Sequence, residues 1–242
     1  MKDIPFLASI FGRHEFVVRR VHSLLGLIPI GGFLCFHLAT NASILDGPET
    51  FQMRVNIIHQ LGPITLSVLE WGTIFLPILL HGIIGLIIVT RGKRNLRHYP
   101  YLENWRYTLQ RITGVAVMAF ILFHVFQMHG WFRWEWWTEH VARPFGGARF
   151  DWEHATASAA TVLEGSKIFA AIYFVGIFSA VYHLANGLWT MGITWGVWTT
   201  PHAQRWANIP CALFGLALLT IGLGALFGFL NVPLPLVDVV IR

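Results

Sequence analysis

The chain has 242 residues, 55% of them hydrophobic and 12% charged, against about 25% charged residues in ordinary soluble domains, which excludes an ordinary soluble enzyme. Its 17 Lys and Arg against 12 Asp and Glu leave a charge of +5, an excess that in so apolar a chain belongs beside a membrane and not along a nucleic-acid backbone. Against this avoidance of ionisable groups stand 12 His, while Cys35 and Cys211 lie in apolar runs without the CxxC or CxxCH spacing of zinc, iron–sulfur or covalent haem sites.

Along the chain, residues 1–20 carry Lys2, Asp3, Arg13, Glu15, Arg19 and Arg20 with no short apolar core before a small-residue cleavage site, so no cleaved signal peptide is expected. A hydrocarbon layer about 30 Å thick needs about 20 apolar residues in helix, because every backbone polar group must be satisfied within the segment. Five stretches meet this demand, and the spans are predicted at about 21–45, 66–90, 111–132, 167–198 and 208–230, in one transmembrane domain covering 1–242. The fourth apolar run continues to Gln204, longer than a bilayer requires, and is expected to tilt or project into the cytoplasm. Pro29 and Pro77 fall within the first two spans, where a bundle tolerates a kink.

An odd number of spans puts the termini on opposite sides. With the N-terminus cytoplasmic, Lys2, Arg13, Arg19, Arg20, Arg91, Lys93, Arg94, Arg97, Arg106, Arg111 and Arg205 collect inside, and Arg54, Arg133, Arg143, Arg149, Lys167 and Arg242 outside. Eleven against six follows the positive-inside rule. The segment 131–166 then lies outside, and its opening WFRWEWW reads as an interfacial aromatic belt.

Four histidines fall well inside spans, one on each of the first four: His37, His81, His124 and His183. At 1.5 Å per residue, His37 lies about 25 Å and His124 about 20 Å above the inner edge, His81 about 15 Å, and His183 near mid-depth. They sort into an outer pair, His37 with His124, and an inner pair, His81 with His183. A histidine in hydrocarbon is costly without a partner and usually carries function, although it also serves as a hydrogen-bonding link between helices. Four of them, one per helix and paired at two depths, point to metal or cofactor ligation. No carboxylates accompany them to complete a mononuclear site, and two axial imidazoles on a porphyrin iron fit better. With both axial positions filled such a centre transfers electrons.

The fold expected is therefore an all-α membrane protein, a five-transmembrane-helix bundle holding two b haems. Gly31, Gly32, Gly82, Gly85, Gly114 and Gly187 suit a slot for a flat macrocycle, and each alone suits close helix packing equally well. His129, about 140° around the helix from His124, cannot share its face. His14, His98, His140, His154 and His202 fall at or beyond span ends. His22, beside Arg19 and Arg20, is a candidate for a haem propionate or a quinone oxygen, as are His59 and Gln60 near the outer end; Glu70 is either interfacial or a proton carrier. No catalytic residue is expected on the chain.

The string YHLANGLWTMGITWGVWTTPHAQRW, from Tyr182 to Trp206, resembles the fourth-helix signature of the cytochrome b558 subunits of type B succinate:quinone oxidoreductases and quinol:fumarate reductases. FLPILLHGIIGL around His81 and RITGVAVMAFILFHV around His124 resemble the second and third helices of that family, and the resemblance covers essentially the whole chain. It implies His81 and His183 as axial ligands of a proximal haem b and His37 and His124 of a distal one. It also implies a multi-pass subunit of the bacterial cytoplasmic membrane, in respiratory complex II of the tricarboxylic acid cycle. The partners implied are a flavoprotein subunit carrying FAD and an iron–sulfur subunit, and electrons from succinate are expected to reach a quinone, menaquinone, through the two haems. The long segment 131–166 departs most from the family pattern. A dihaem cytochrome b of another respiratory enzyme, of nitrate reductase or hydrogenase type, shares the histidine logic but should lack the HLANGLW element. A transporter with a histidine proton relay should carry polar companions inside its spans, and these spans are poor in Asp, Glu, Lys and Arg.

Overall fold

The computed structural model describes residues 5–93 and 95–233, and of residues 5–12 the backbone alone. Lys2, Asp3, Arg94 and Arg242, which entered the charge reading, lie outside the described residues. The fold is all-helical, with five segments long and apolar enough to cross a membrane: Arg13–Asp46, Pro63–Arg91, Leu102–His129, Lys167–Thr194 and Pro201–Phe229. Their flanks expose large apolar side chains such as Ile64, Ile168 and Leu213, a surface suited to lipid and not to water.

The first segment joins α1 (Pro5–Leu25) to α2 (Gly32–Ala42) through a π-helical stretch, Gly26–Gly31, that contains Pro29. The second joins α4 (Pro63–Leu69) to α5 (Leu76–Arg91) through another, Glu70–Phe75, two residues before Pro77. A proline lacks the N–H for the bond to the carbonyl four residues back and its ring crowds that carbonyl. A wider turn relieves the crowding, and so both intramembrane prolines are taken up by π turns and not by sharp kinks.

Between these segments lies α3 (Pro48–His59). The third crossing is one helix, α6 (Leu102–His129), which ends on Gly130 at φ +80°. That left-handed cap suits glycine, and space requires it as well, since a Cβ on Gly130 would stand 2.8 Å from that of Ala148. The short α7 (Glu135–Trp137) then leads through a π turn to an extended stretch. There the N–H groups of Ala148, Arg149 and Phe150 donate to the carbonyls of Phe126, Gln127 and Met128 at 3.0–3.1 Å. The last carbonyls of a helix have no partner within it, and this stretch supplies one from outside.

Segment 131–166 is thus no simple loop. Its α8 (Ala155–Glu164) is buried along one side, with Ala155 and Ala160 fully enclosed, and packs against α3, α9 (Lys167–Thr194) and α10 (Pro201–Phe229). Alanine is the residue that lets helices approach closely. Together with Phe51, Val55, Leu226 and Phe229 it forms a core that caps one end of the bundle. Thr156 fixes the cap to the first loop by donating its hydroxyl to the Pro48 carbonyl at 2.7 Å.

At the opposite, basic end, the long apolar run after Ile168 does not continue as one helix. α9 stops at Thr194, Gly196 turns the chain at φ +75°, and α10 begins at Pro201 with the Thr200 hydroxyl accepting from the Ala203 N–H at 3.1 Å. The projecting fourth span is therefore corrected to two helices joined by a tight turn, and the fifth helix starts seven residues before the expected 208. Gly196 and the Thr-Pro pair are the stop and start signals that hydropathy alone passes over. The turn is packed by Trp198, whose indole lies where a Cβ on Gly192 would stand 2.0 Å away. In the bundle, α9 lies against both α6 and α10, α2 against α10, and α1 against α5.

Candidate functional site

The helices bring the four intramembrane histidines together as two pairs. His81 on α5 and His183 on α9 have ring centroids 6.1 Å apart at an interplanar angle of 89°. His37 on α2 and His124 on α6 have centroids 5.9 Å apart at 68°. Two imidazoles bound through nitrogen on opposite sides of one transition-metal ion, at about 2.0 Å each, hold their ring centroids about 6 Å apart. Among the described residues no group of three or more His, Cys, Asp or Glu gathers to hold a bare metal ion. Each level therefore offers two nitrogen donors and nothing more, which is the donor set a macrocycle with its own four equatorial nitrogens demands.

The tautomers are set by neighbours. His81 Nδ1 lies 2.8 Å from the His22 carbonyl, and His183 Nδ1 lies 3.1 Å from that of Gln110. A carbonyl only accepts, so each Nδ1 carries the proton and Nε2 keeps its lone pair. At the other level His124 Nδ1 meets the Tyr173 hydroxyl at 3.1 Å, and that hydroxyl donates to Gln127 Oε1 at 3.0 Å. His37 differs, because Asn41 Nδ2 donates to its Nε2 at 3.2 Å.

Glycines let the rings sit against helix backbone. A Cβ on Gly26 would stand 2.5 Å from His81 Cε1, and one on Gly114 would stand 2.8 Å from His183 Cε1. Of the glycines expected to line a slot, Gly114 does so and Gly85 faces His22, at 3.0 Å from where its Cβ would be. Gly31 faces Leu184, Gly187 touches only Gln110, and Gly32 has open space. Gly26 was not among the expected residues. It lies in the π turn and meets His81 from 55 positions away in the chain.

His22 stacks on His81 with centroids 3.9 Å apart and 11° between planes, and its Nδ1 lies 3.1 Å from the His81 carbonyl. Three imidazoles therefore stand at the basic-end level. Beneath them a polar chain crosses the bundle. Gln110 donates to the His183 carbonyl at 3.0 Å and accepts from the buried Asn186 at 2.7 Å; Asn186 in turn accepts from Arg106 at 2.8 Å. Arg106 also donates to Asn208 at 2.6 Å and lies over the Trp189 ring. Asn186 and Trp189 are the Asn and Trp of the HLANGLW string, whose polar members are thus explained as ties between α6, α9 and α10.

The weaker candidates scatter. Arg19 pairs with Glu15 at 2.6 Å on an exposed face, and Arg20 donates to the Thr194 carbonyl at 3.0 Å. His59 stacks on Trp152 at 4.6 Å, and Gln60 is exposed after the end of α3. Glu70 pairs with Arg133 at 3.1 Å, and Arg133 also donates to His129 at 2.7 Å. These candidates do not converge on one pocket. Outside the spans, His154 beside Asp151 holds that carboxyl below its ordinary range, a surface tie of the cap. His129 touches neither pair, so His129→Ala is expected to leave both sites intact, checked as unchanged haem content per chain.

No protein-family model matches the chain. It is 35% identical over 219 residues, 90% of its own length and 98% of the relative's, to the succinate dehydrogenase cytochrome b558 subunit of Bacillus subtilis (strain 168).

Proposed function

The chain belongs to the succinate dehydrogenase cytochrome b558 subunit family, and from that premise we propose that it anchors a flavoprotein subunit carrying FAD and an iron–sulfur subunit to the membrane and conducts electrons from succinate to a quinone, menaquinone, across two bis-histidine haem b sites. The observation that carries the proposal is the pair of centroid separations, 6.1 and 5.9 Å, each spanned by two imidazoles on different helices. When bound, haem b supplies a one-electron centre at each level, with both axial positions filled and none open to oxygen.

The chain's own residues prepare those positions. The His22 and Gln110 carbonyls hold His81 and His183 with Nε2 free, Tyr173 does the same for His124, and Gly26 and Gly114 give the rings room. Such outer partners orient a ligand and raise its basicity. His37 coordinates through Nε2 once that atom exchanges its bond from Asn41 for the iron. The level of His81 and His183 is the proximal site and that of His37 and His124 the distal one. The N-terminus is cytoplasmic in this reading, which puts Arg91, Lys93 and Arg97 beside the soluble subunits and the 131–166 cap on the outer side. Arg19, Arg20, His22, His59, Gln60 and Glu70 remain the candidates for propionate or quinone contacts.

A reduced-minus-oxidised spectrum of the purified membrane complex tests the reading. Two b-type haems per chain are expected; a complex without a b-type signal overturns it.

A further inference from the structure

The two histidine levels differ in what receives the imidazole proton. At the level of His81 and His183 both acceptors are backbone carbonyls, which no side-chain substitution removes. At the level of His124 the acceptor is a side chain, the Tyr173 phenol, 3.1 Å from Nδ1. A phenol both donates and accepts, so alone it would leave the tautomer of His124 open. Gln127 closes the choice. Its side chain is 2% exposed, and its Oε1 takes the Tyr173 proton at 3.0 Å, leaving the phenol oxygen only an acceptor role toward His124. The backbone of Gln127 is itself tied, its carbonyl receiving the Arg149 N–H at 3.0 Å, so the outer cap holds the far end of the chain of bonds. Phe120 fixes the ring from the side. It stacks on His124 at 5.6 Å, meets Tyr173 edge-on at 5.3 Å, and rests where a Cβ on Gly176 would stand 2.4 Å away.

We propose that Tyr173, locked as an acceptor by Gln127, is a positioning residue that fixes the tautomer and orientation of His124 and thereby sets the reduction potential of the distal haem independently of the proximal one. The proposal rests on the bis-histidine reading above. A stronger acceptor on Nδ1–H makes the imidazole a more basic ligand, which favours ferric over ferrous iron. Its removal therefore shifts the distal couple toward the reduced form. Gln127 acts one bond further out, and its loss frees the phenol proton to turn toward His124 Nδ1, a geometry that disfavours the tautomer with a free Nε2 lone pair.

The test is a redox titration of the intact membrane complex, followed by optical and electron paramagnetic resonance spectra, for the native chain, Tyr173→Phe and Gln127→Leu. Tyr173→Phe keeps the ring that packs on Phe120 and Phe123, so both haems are expected to be retained. At a fixed ambient potential the reduced-to-oxidised ratio of the distal haem is expected to rise about threefold to tenfold, as for loss of an outer-shell partner, with an altered low-spin ferric signal and the proximal couple unmoved. In Gln127→Leu the same signal is expected to broaden or split as two tautomers compete. A distal couple and ferric signal identical to the native ones in Tyr173→Phe, with both haems present, overturns this proposal and leaves the bis-histidine reading standing. Equal shifts of both haems also overturn it, since they would report a general loosening. Retention of the distal haem in His124→Ala would instead overturn the bis-histidine reading itself.

Discussion

Replacing His81 or His183 by Ala is expected to halve the haem content of the purified complex and to abolish succinate-dependent quinone reduction, with the chain still inserted in the membrane. The two rings face one another across 6.1 Å from different helices, and each is the sole partner of the other at that level, since no third His, Cys, Asp or Glu of the described residues joins them. The remaining imidazole cannot hold a six-coordinate iron alone, and His22 cannot substitute without breaking the 3.1 Å bond that ties its own ring to the His81 carbonyl. The measurement is haem per chain together with the spectrum of the species that remains. Two haems in His81→Ala would refute the assignment.

Gly26→Ala is expected to lower proximal haem content severely without touching a ligand. The added Cβ would stand 2.5 Å from His81 Cε1 and 2.9 Å from Nδ1, distances at which one group must move. The ring has little freedom to yield, being held on one face by His22 at 3.9 Å and at Nδ1 by the His22 carbonyl. The backbone at Gly26 is helical, so the cost is contact and not conformation. Gly32→Ala, six residues on and with open space around it, is the matched control and is expected to bind both haems normally. If the two variants behave alike, the close approach has no bearing on the site.

The pairing of the four histidines was legible in the chain because it depends on two quantities that sequence carries directly, the apolar length of each span and a rise of 1.5 Å per residue. Depth along a helix is a local property. What surrounds each imidazole is not. Gly26 meets His81, and Tyr173 meets His124 from 49 residues away, through packing that no window of sequence contains. Gly32 and Gly82 looked equivalent to Gly114 in the chain, yet only Gly114 faces a ring of the four. The cap was hidden for a related reason: the stretch around α8 is alanine-rich and lacks an apolar stripe of large residues, so its burial follows from the helices that close over it. The division of the fourth apolar run was present in Gly196 and Thr200–Pro201 but was outweighed by hydropathy, which does not register chain direction.

The π turn at Gly26–Gly31 has a consequence for how this chain can change in length. Such a turn holds one residue more than the α-helix it interrupts. Deleting a single residue there would let the segment relax to α-helix and advance everything beyond it by about 100°. His22 would stay against His81, while His37 would swing off the face it shares with His124. The first span therefore sets the phase between the two levels, and its residue count is fixed to the unit, whereas a residue added among the exposed positions between Trp131 and Glu135 alters no helix's rotation.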